Sequence, residues 1–322
     1  MTVALAQKPD KSSLILRLEA AARRDPGGRG LATSAPLGLL EPAAQALLAA
    51  RRVIIVTGFC VRSALRGESD GPPGATALAA AFSTLGAETL ILSDRHSGAL
   101  VAAACAAREE SCRKDAGALA QRAAQGEARG IRPDHIQSLP DAELEAHAAC
   151  RLLAAEFRPD LVLAVERPGG AVDGHRYSMR GAILDDIAPP ADELFPAAAM
   201  RCWATAAIGD GGNELGMGSL KKACAAAVPL GERIFCAAAA DYPIVSGISN
   251  WGAYALAGAL SILIGRPLIA SVATELAVLR AVCDAGAVDG CTGERSFSVD
   301  GLPAEAYGKV LREMYDIVLE SL

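Results

Sequence analysis

The stretch GDGGNELGMG, residues 209–218, places Asp210, Asn213 and Glu214 among five glycines. It follows the apolar run WATAAI, which has the character of a buried strand. A plain turn needs one or two glycines. Glycine density together with carboxylate and amide oxygens points instead to a ligand that needs close backbone approach and oxygen donors. Similar acids recur at the ends of other apolar runs. They are Asp94 after ETLILS, Glu166 after DLVLAV and Asp241 after RIFCAAAA, with Asp70 in the loop after VIIVTGF. In an open parallel sheet, ligands bind beyond the carboxyl ends of the strands. Gathered on one such rim, like charges repel unless a proton or a cation intervenes. Oxygen donors suit Mg²⁺ or Mn²⁺, and the absence of a Cys/His cluster in the sequence argues against zinc. The expected metal ligands are Asp70, Asp210, Asn213 and Glu214. Asp70, Glu166 and Glu214 are the candidates for the catalytic base. The plainer alternatives are that Asp70 caps a helix and that Glu166-Arg167 is a structural ion pair.

The loop ERPGGAVDGHRYSMRG, residues 166–181, carries Arg167, Arg176, Arg180, His175 and Tyr177. A guanidinium forks onto a carboxylate, so the three arginines and Tyr177 are candidates for binding a carboxylate substrate. Ser249 and Asn250 open an apolar helical run and would supply a cap or an anion site at its start. Cys60, just past the first strand, is a rival nucleophile without an evident histidine partner.

The elements that must position these groups follow from periodicity. Helices are expected at 12–24, 41–51, 74–86, 98–128, 141–157, 213–226, 250–264, 272–285 and 304–321. Strands are expected at 52–57, at ETLILSD, DHIQSLP and DLVLAV, and in the runs that end at Asp210 and near Asp241. Strands that alternate with helices and carry continuous β-branched runs predict an α/β fold: a mostly parallel sheet flanked by helices, in a single large domain over 20–322. Residues 1–19 are set apart as an N-terminal segment expected to be mobile.

Several classes are disfavoured. No G-x-x-x-x-G-K-[ST] occurs, and no G-x-G-x-x-G precedes Asp94. No D-x-D opens the chain's first strand, as the haloacid dehalogenases require. The one G-x-S-x-G, in GESDG, runs into prolines and makes a poor nucleophile elbow. A net charge of −6 gives no global basic footprint for nucleic acid. No apolar run has the length of a membrane span, and the N-terminus has no secretory apolar core. The nine cysteines, odd in number and without a C-x-x-C pair, fit reduced buried thiols. A cytoplasmic location, a small-molecule partner and neither nucleic acid nor membrane are expected. Self-association into a homo-oligomer is left open.

Taken in order, RDPGGRG, VTGF with ESDGPPGA, ERPG with DGHRYSMRG, GDGGNELGMG, SGISNWGAYAL and DGCTGERSFSVDGLP resemble the C-terminal domain family of D-glutamate cyclase. The resemblance covers about residues 20–321, except 95–160. It implies an α/β fold, a divalent metal (Mn²⁺ or Mg²⁺) and conversion of D-glutamate, or a related amino dicarboxylate, to 5-oxo-D-proline plus water. It also implies that vertebrate members are mitochondrial and carry an additional N-terminal domain. Two other functions compatible with an acidic rim are a metal-dependent hydrolase or phosphoesterase and a non-catalytic sensor of a small ligand.

Overall fold

The computed structural model describes residues 10–119 and 135–322. Helices α1 (Lys11–Ala22), α2 (Leu31–Ser34) and α3 (Leu40–Leu47) precede strand β1 (Arg52–Thr57). A small hairpin, β2 (Cys60–Val61) and β3 (Arg66–Gly67), leads to α4 (Pro72–Thr84) and β4 (Glu88–Ser93). Then come α5 (Gly98–Leu119), β5 (Ile136–Ser138), α6 (Glu143–Phe157), β6 (Leu161–Val165) and β7 (Ala204–Gly209). After β7 the chain makes α7 (Lys221–Cys224), α8 (Gly231–Ile234), β8 (Tyr242–Val245) and α9 (Ser249–Ile264). It closes with α10 (Val272–Asp284), the short hairpin β9 (Ser298–Val299) and β10 (Leu302–Pro303), and α11 (Ala304–Ser321).

Six strands form one sheet in the order β5-β4-β1-β6-β7-β8, and every pair is parallel. The chain winds outward from β1 to β5, returns beside β1 as β6, and winds outward again. That is the doubly wound order, with its switch point between β1 and β6. The expected α/β architecture is therefore present, and the dinucleotide strand order occurs without the dinucleotide glycine fingerprint. The strands are apolar throughout because both faces are covered. Val53 and Ile55 of β1 enter one core with α1, α3, α4, α9 and α11, while Ile54 and Val56 enter the other with α6. Of the N-terminal segment set apart in the sequence, residues 1–9 lie outside the described residues. Leu14, Ile15 and Leu18 of α1 are buried in the first core.

Two sequence expectations are corrected. The run RIFCAAAADYP is not a strand: its first residues end α8, and Phe235–Asp241 is an irregular segment that buries Phe235, Cys236 and Ala240. The sixth strand begins at Tyr242 and includes Pro243, which an edge strand tolerates because its outer N–H needs no partner. Asp241 thus stands at the start of β8, at the opposite end from the rim, where Arg201 holds it at 2.7 Å. Residues 213–226 are not one helix. They form a turn, two short 3₁₀ segments and the single turn α7, because the stretch carries glycines at 216 and 218 and Gly216 takes φ +93°. The expected helix 98–128 is α5 as far as Leu119, and its remainder lies outside the described residues.

Candidate active site

Asp70, Glu166 and Asp210 meet beyond the carboxyl ends of β1, β6 and β7. Each is buried, and carboxylate oxygens from the three lie within 4.8 Å of one another. The switch point explains the meeting, since β6 lies between β1 and β7 and all three strands end at the same rim.

Local structure sets each acid. Asp70 does cap a helix, but a distant one. Its Oδ2 accepts the Ser249 N–H at 2.8 Å and its Oδ1 the Asn250 N–H at 2.7 Å, which places a carboxylate at the positive end of the α9 dipole. Asn250 returns the contact: its Oδ1 accepts N–H groups from Gly71 and Gly74 at the start of α4. Glu166 directly follows β6 with φ +44°, a conformation a non-glycine residue adopts at a cost. Its Oε2 is buried without a hydrogen-bond partner among the described residues. Asp210 follows β7 and is held by Arg29, whose Nη1 reaches its Oδ2 at 2.8 Å. The same guanidinium bonds Asp300 at 2.8 Å. Asp25 folds the loop that delivers Arg29, accepting the N–H groups of Arg29 and Gly30 at 3.0 Å each.

Glu214 is engaged differently. Its Oε1 accepts the N–H groups of Asp210 (3.1 Å) and Gly211 (2.7 Å), and its Oε2 that of Gly212 (2.7 Å). It is the anchor around which the glycine-rich loop winds. Gly212 is required there: its φ is +90°, and a Cβ would stand 2.5 Å from the Phe235 ring. Asn213 donates through Nδ2 to the Tyr177 carbonyl, while its buried Oδ1 has no partner among the described residues.

A cavity of about 460 Å³ opens on this rim. Its inner end is lined by Glu68, Glu166, Asp210, Asn213, Glu214 and Arg29, and its outer wall includes Phe59, Val61, Met179, Ala182 and Pro229. Burial pushes the carboxyls of Glu68, Glu166 and Asp210 well above their ordinary range. Neighbouring carboxylates add to this in each case, and Arg29 pulls against it at Asp210. Burial, with Asp300, pushes Asp70 up to about 7 against the opposing N–H bonds from α9. Such a cluster keeps its protons or takes up a cation. The donor set, three clustered carboxylates with the orphaned oxygens of Glu166 and Asn213 beside them, fits a hard divalent cation.

Of the three candidate arginines, the structure brings only Arg180 to the cavity. It is exposed, and its Nη2 donates to the Cys291 carbonyl at 2.7 Å. Arg167 is wholly buried, with its guanidinium on Asp94, the Gly58 carbonyl and the Pro189 carbonyl. It is the structural ion pair of the plainer reading, with Asp94 rather than Glu166 as partner. Arg176 is buried against Asp185 at 3.1 Å. Tyr177 is buried under Arg233, and its hydroxyl donates to Asp173 at 2.6 Å. Ser249 and Asn250 are buried and stand behind Asp70, outside the cavity lining. Cys60 lines the cavity, but burial pushes its thiol up to about 12, which leaves little thiolate.

Sequence reasoning passed over Arg29, Asp300 and Glu68. Arg29 and its two acids are 181 and 271 residues apart, so no local spacing links them. The one available signal for Arg29 was Asp25 followed by two glycines, a loop folded to present the next side chain.

Residues 18–315 match the family described as "D-glutamate cyclase-like, C-terminal". The chain is also similar to the human protein "D-glutamate cyclase, mitochondrial", at 34% identity over 260 residues. That alignment takes in 78% of this chain and 39% of the human protein, so the chain corresponds to about two fifths of the relative's length. Among the described residues, no helix is long and apolar enough to cross a membrane.

Proposed function

The chain belongs to the D-glutamate cyclase-like, C-terminal family, and from that premise we propose that it is a metal-dependent lyase cyclising D-glutamate to 5-oxo-D-proline and water. The observation that carries the reading is the Asp70–Glu166–Asp210 cluster, two of whose acids, Glu166 and Asp210, line a cavity that also holds Arg180. Asp70, Glu166 and Asp210 would hold Mn²⁺ or Mg²⁺, with the Asn213 amide oxygen as a further donor. When bound, the cation supplies Lewis-acid polarisation of the side-chain carboxylate, otherwise a poor electrophile.

The protein's own groups supply the rest. Arg180 pairs with no carboxylate in any described ion pair, and the N–H groups not given to the Cys291 carbonyl would take the substrate α-carboxylate. Arg29 is shared between Asp210 and Asp300 and keeps Asp210 turned to the cluster. Glu68 lines the same inner end outside the three-acid set, and it is placed to accept a proton from the substrate ammonium. The amine then attacks the side-chain carboxyl carbon. Both protons shed by the nitrogen end on the departing oxygen, which leaves as water. Because the reaction is intramolecular, holding the folded conformer lowers much of the barrier. Glu214 acts through the loop: it fixes the backbone that carries Asp210 and Asn213.

The test is turnover by EDTA-stripped protein, with and without Mn²⁺ or Mg²⁺, on D- and L-glutamate separately. Chiral mass spectrometry would follow 5-oxoproline. Metal-dependent product from the D-isomer is expected, with Asp210→Asn losing both turnover and Mn²⁺ binding by calorimetry. Absence of product under every metal would overturn the reading.

A further inference from the structure

We propose that the same site accepts a side-chain amide of D-glutamate, expelling an amine where the free acid expels water. This rests on the cyclase reading above and widens its substrate class.

Charge is the first observation. The inner end of the cavity already carries Glu68, Glu166, Asp210 and Glu214, and Arg29 beside them is divided between Asp210 and Asp300. The three clustered carboxylates alone outnumber the two charges of a divalent cation. A free side-chain carboxylate brings another full negative charge into this end, whereas an amide brings none. In a partly dry site that difference favours the amide. The α-carboxylate is common to both and is assigned to Arg180 in each case.

Volume and lining are the second. A cavity of about 460 Å³ has the capacity for a drug-sized ligand. An amino dicarboxylate is much smaller, and beyond its side-chain carbonyl carbon it carries only oxygens. Yet the cavity also presents apolar side chains, Phe59 and Val61 at β2 and Met179 and Ala182 in the loop after β6, beside the polar Arg62, Ser63 and Ser178. In the folded conformer that cyclisation needs, the leaving group projects out of the forming ring. An alkyl substituent on a leaving nitrogen would run along those apolar side chains.

The step balances without a co-reactant. The α-nitrogen bonds to the side-chain carbonyl carbon, and the bond from that carbon to the amide nitrogen breaks. The two protons shed by the α-ammonium end on the departing nitrogen, which leaves as an alkylammonium ion. The other product is again 5-oxo-D-proline.

The experiment uses the full chain with Mn²⁺ and three probes side by side: the γ-butylamide of D-glutamate, its L-isomer and free D-glutamate. Mass spectrometry would follow 5-oxoproline and butylamine. The expected result is a kcat/KM for the D-γ-butylamide about tenfold or more above that for D-glutamate. Ala182→Phe, which fills the outer wall, should lower turnover of the amide by about tenfold while turnover of free D-glutamate stays within about twofold. Ser63→Phe, on the hairpin side of the cavity, repeats the test if the first variant does not fold. An inert butylamide beside active D-glutamate would overturn this inference and leave the cyclase reading standing. Two inert D-substrates would overturn both. Turnover of the amide alone would support the inference and replace the free acid as substrate.

Discussion

Glu214 separates two accounts of the glycine-rich loop, and a near-isosteric substitution that removes its charge decides between them. In the structure its carboxylate is a backbone anchor, accepting three N–H groups from Asp210, Gly211 and Gly212 at 3.1, 2.7 and 2.7 Å. In Glu214→Gln the amide oxygen can keep the two bonds at Oε1, but its NH₂ then faces the Gly212 N–H, donor against donor. One buried charge-assisted bond is lost and the others lose their charge, a cost of about 2 kcal/mol. Glu214→Ala strands all three N–H groups and costs roughly 4 kcal/mol after relaxation. For a chain of this size each kcal/mol moves the midpoint by about 1.5 °C. The metal-free variants should therefore melt about 3 °C and about 6 °C below the wild type. Thermal unfolding of EDTA-treated protein, followed by circular dichroism, reads this directly, and Mn²⁺ titration by calorimetry follows below the transition. If Glu214 were instead a ligand, removing its charge from an acidic cluster would relieve repulsion. The metal-free Gln variant would then melt at or above the wild type while its Mn²⁺ affinity fell as far as that of Asp210→Asn. That pattern would refute the anchor.

Two further substitutions test the arginines. Arg180→Ala should raise KM for D-glutamate by roughly tenfold to a hundredfold with a smaller effect on kcat, since a charge-assisted pair contributes about 1.5–3 kcal/mol. Steady-state kinetics with an unmoved KM would place the α-carboxylate elsewhere. Asp94→Ala should leave the Arg167 guanidinium buried and uncompensated and cost about 3–5 kcal/mol in urea unfolding. A loss below about 1 kcal/mol would mean that the Gly58 and Pro189 carbonyls suffice to hold it.

How far such a site can be read from sequence depends on which atoms do the positioning. The rim was legible because it is made by strand ends. A continuous apolar run announces a doubly covered strand, and the residue after it must face the ligand side of a parallel sheet. Glu166 and Asp210 follow from that rule, and Asp70 follows from its place after the first strand. Asp241 failed the same rule for a local reason. Phe235, Cys236 and Ala240 are buried like a strand, but Phe235 N–H closes α8 on the Gly231 carbonyl, while Cys236 N–H meets the Gly212 carbonyl of the glycine-rich loop and Ala240 N–H that of Gly216. The true strand was hidden by Pro243, which only an edge position excuses.

The arginines were illegible for a more general reason. Three guanidiniums in one loop look alike in sequence, yet what each does is fixed by the acid it finds. Arg167 finds Asp94 from another strand end, and Arg176 finds Asp185 nine residues on; only Arg180 is left facing the cavity. Conversely the cation paired with Asp210 of the cluster, Arg29, comes from a loop before the first strand, and its second acid, Asp300, comes from the hairpin before the last helix. The sheet supplies the acids in register, and the segments that close around it supply their counter-charges. A buried acidic cluster must therefore be searched for its partners in the connections furthest along the chain, where spacing carries no signal and only burial decides.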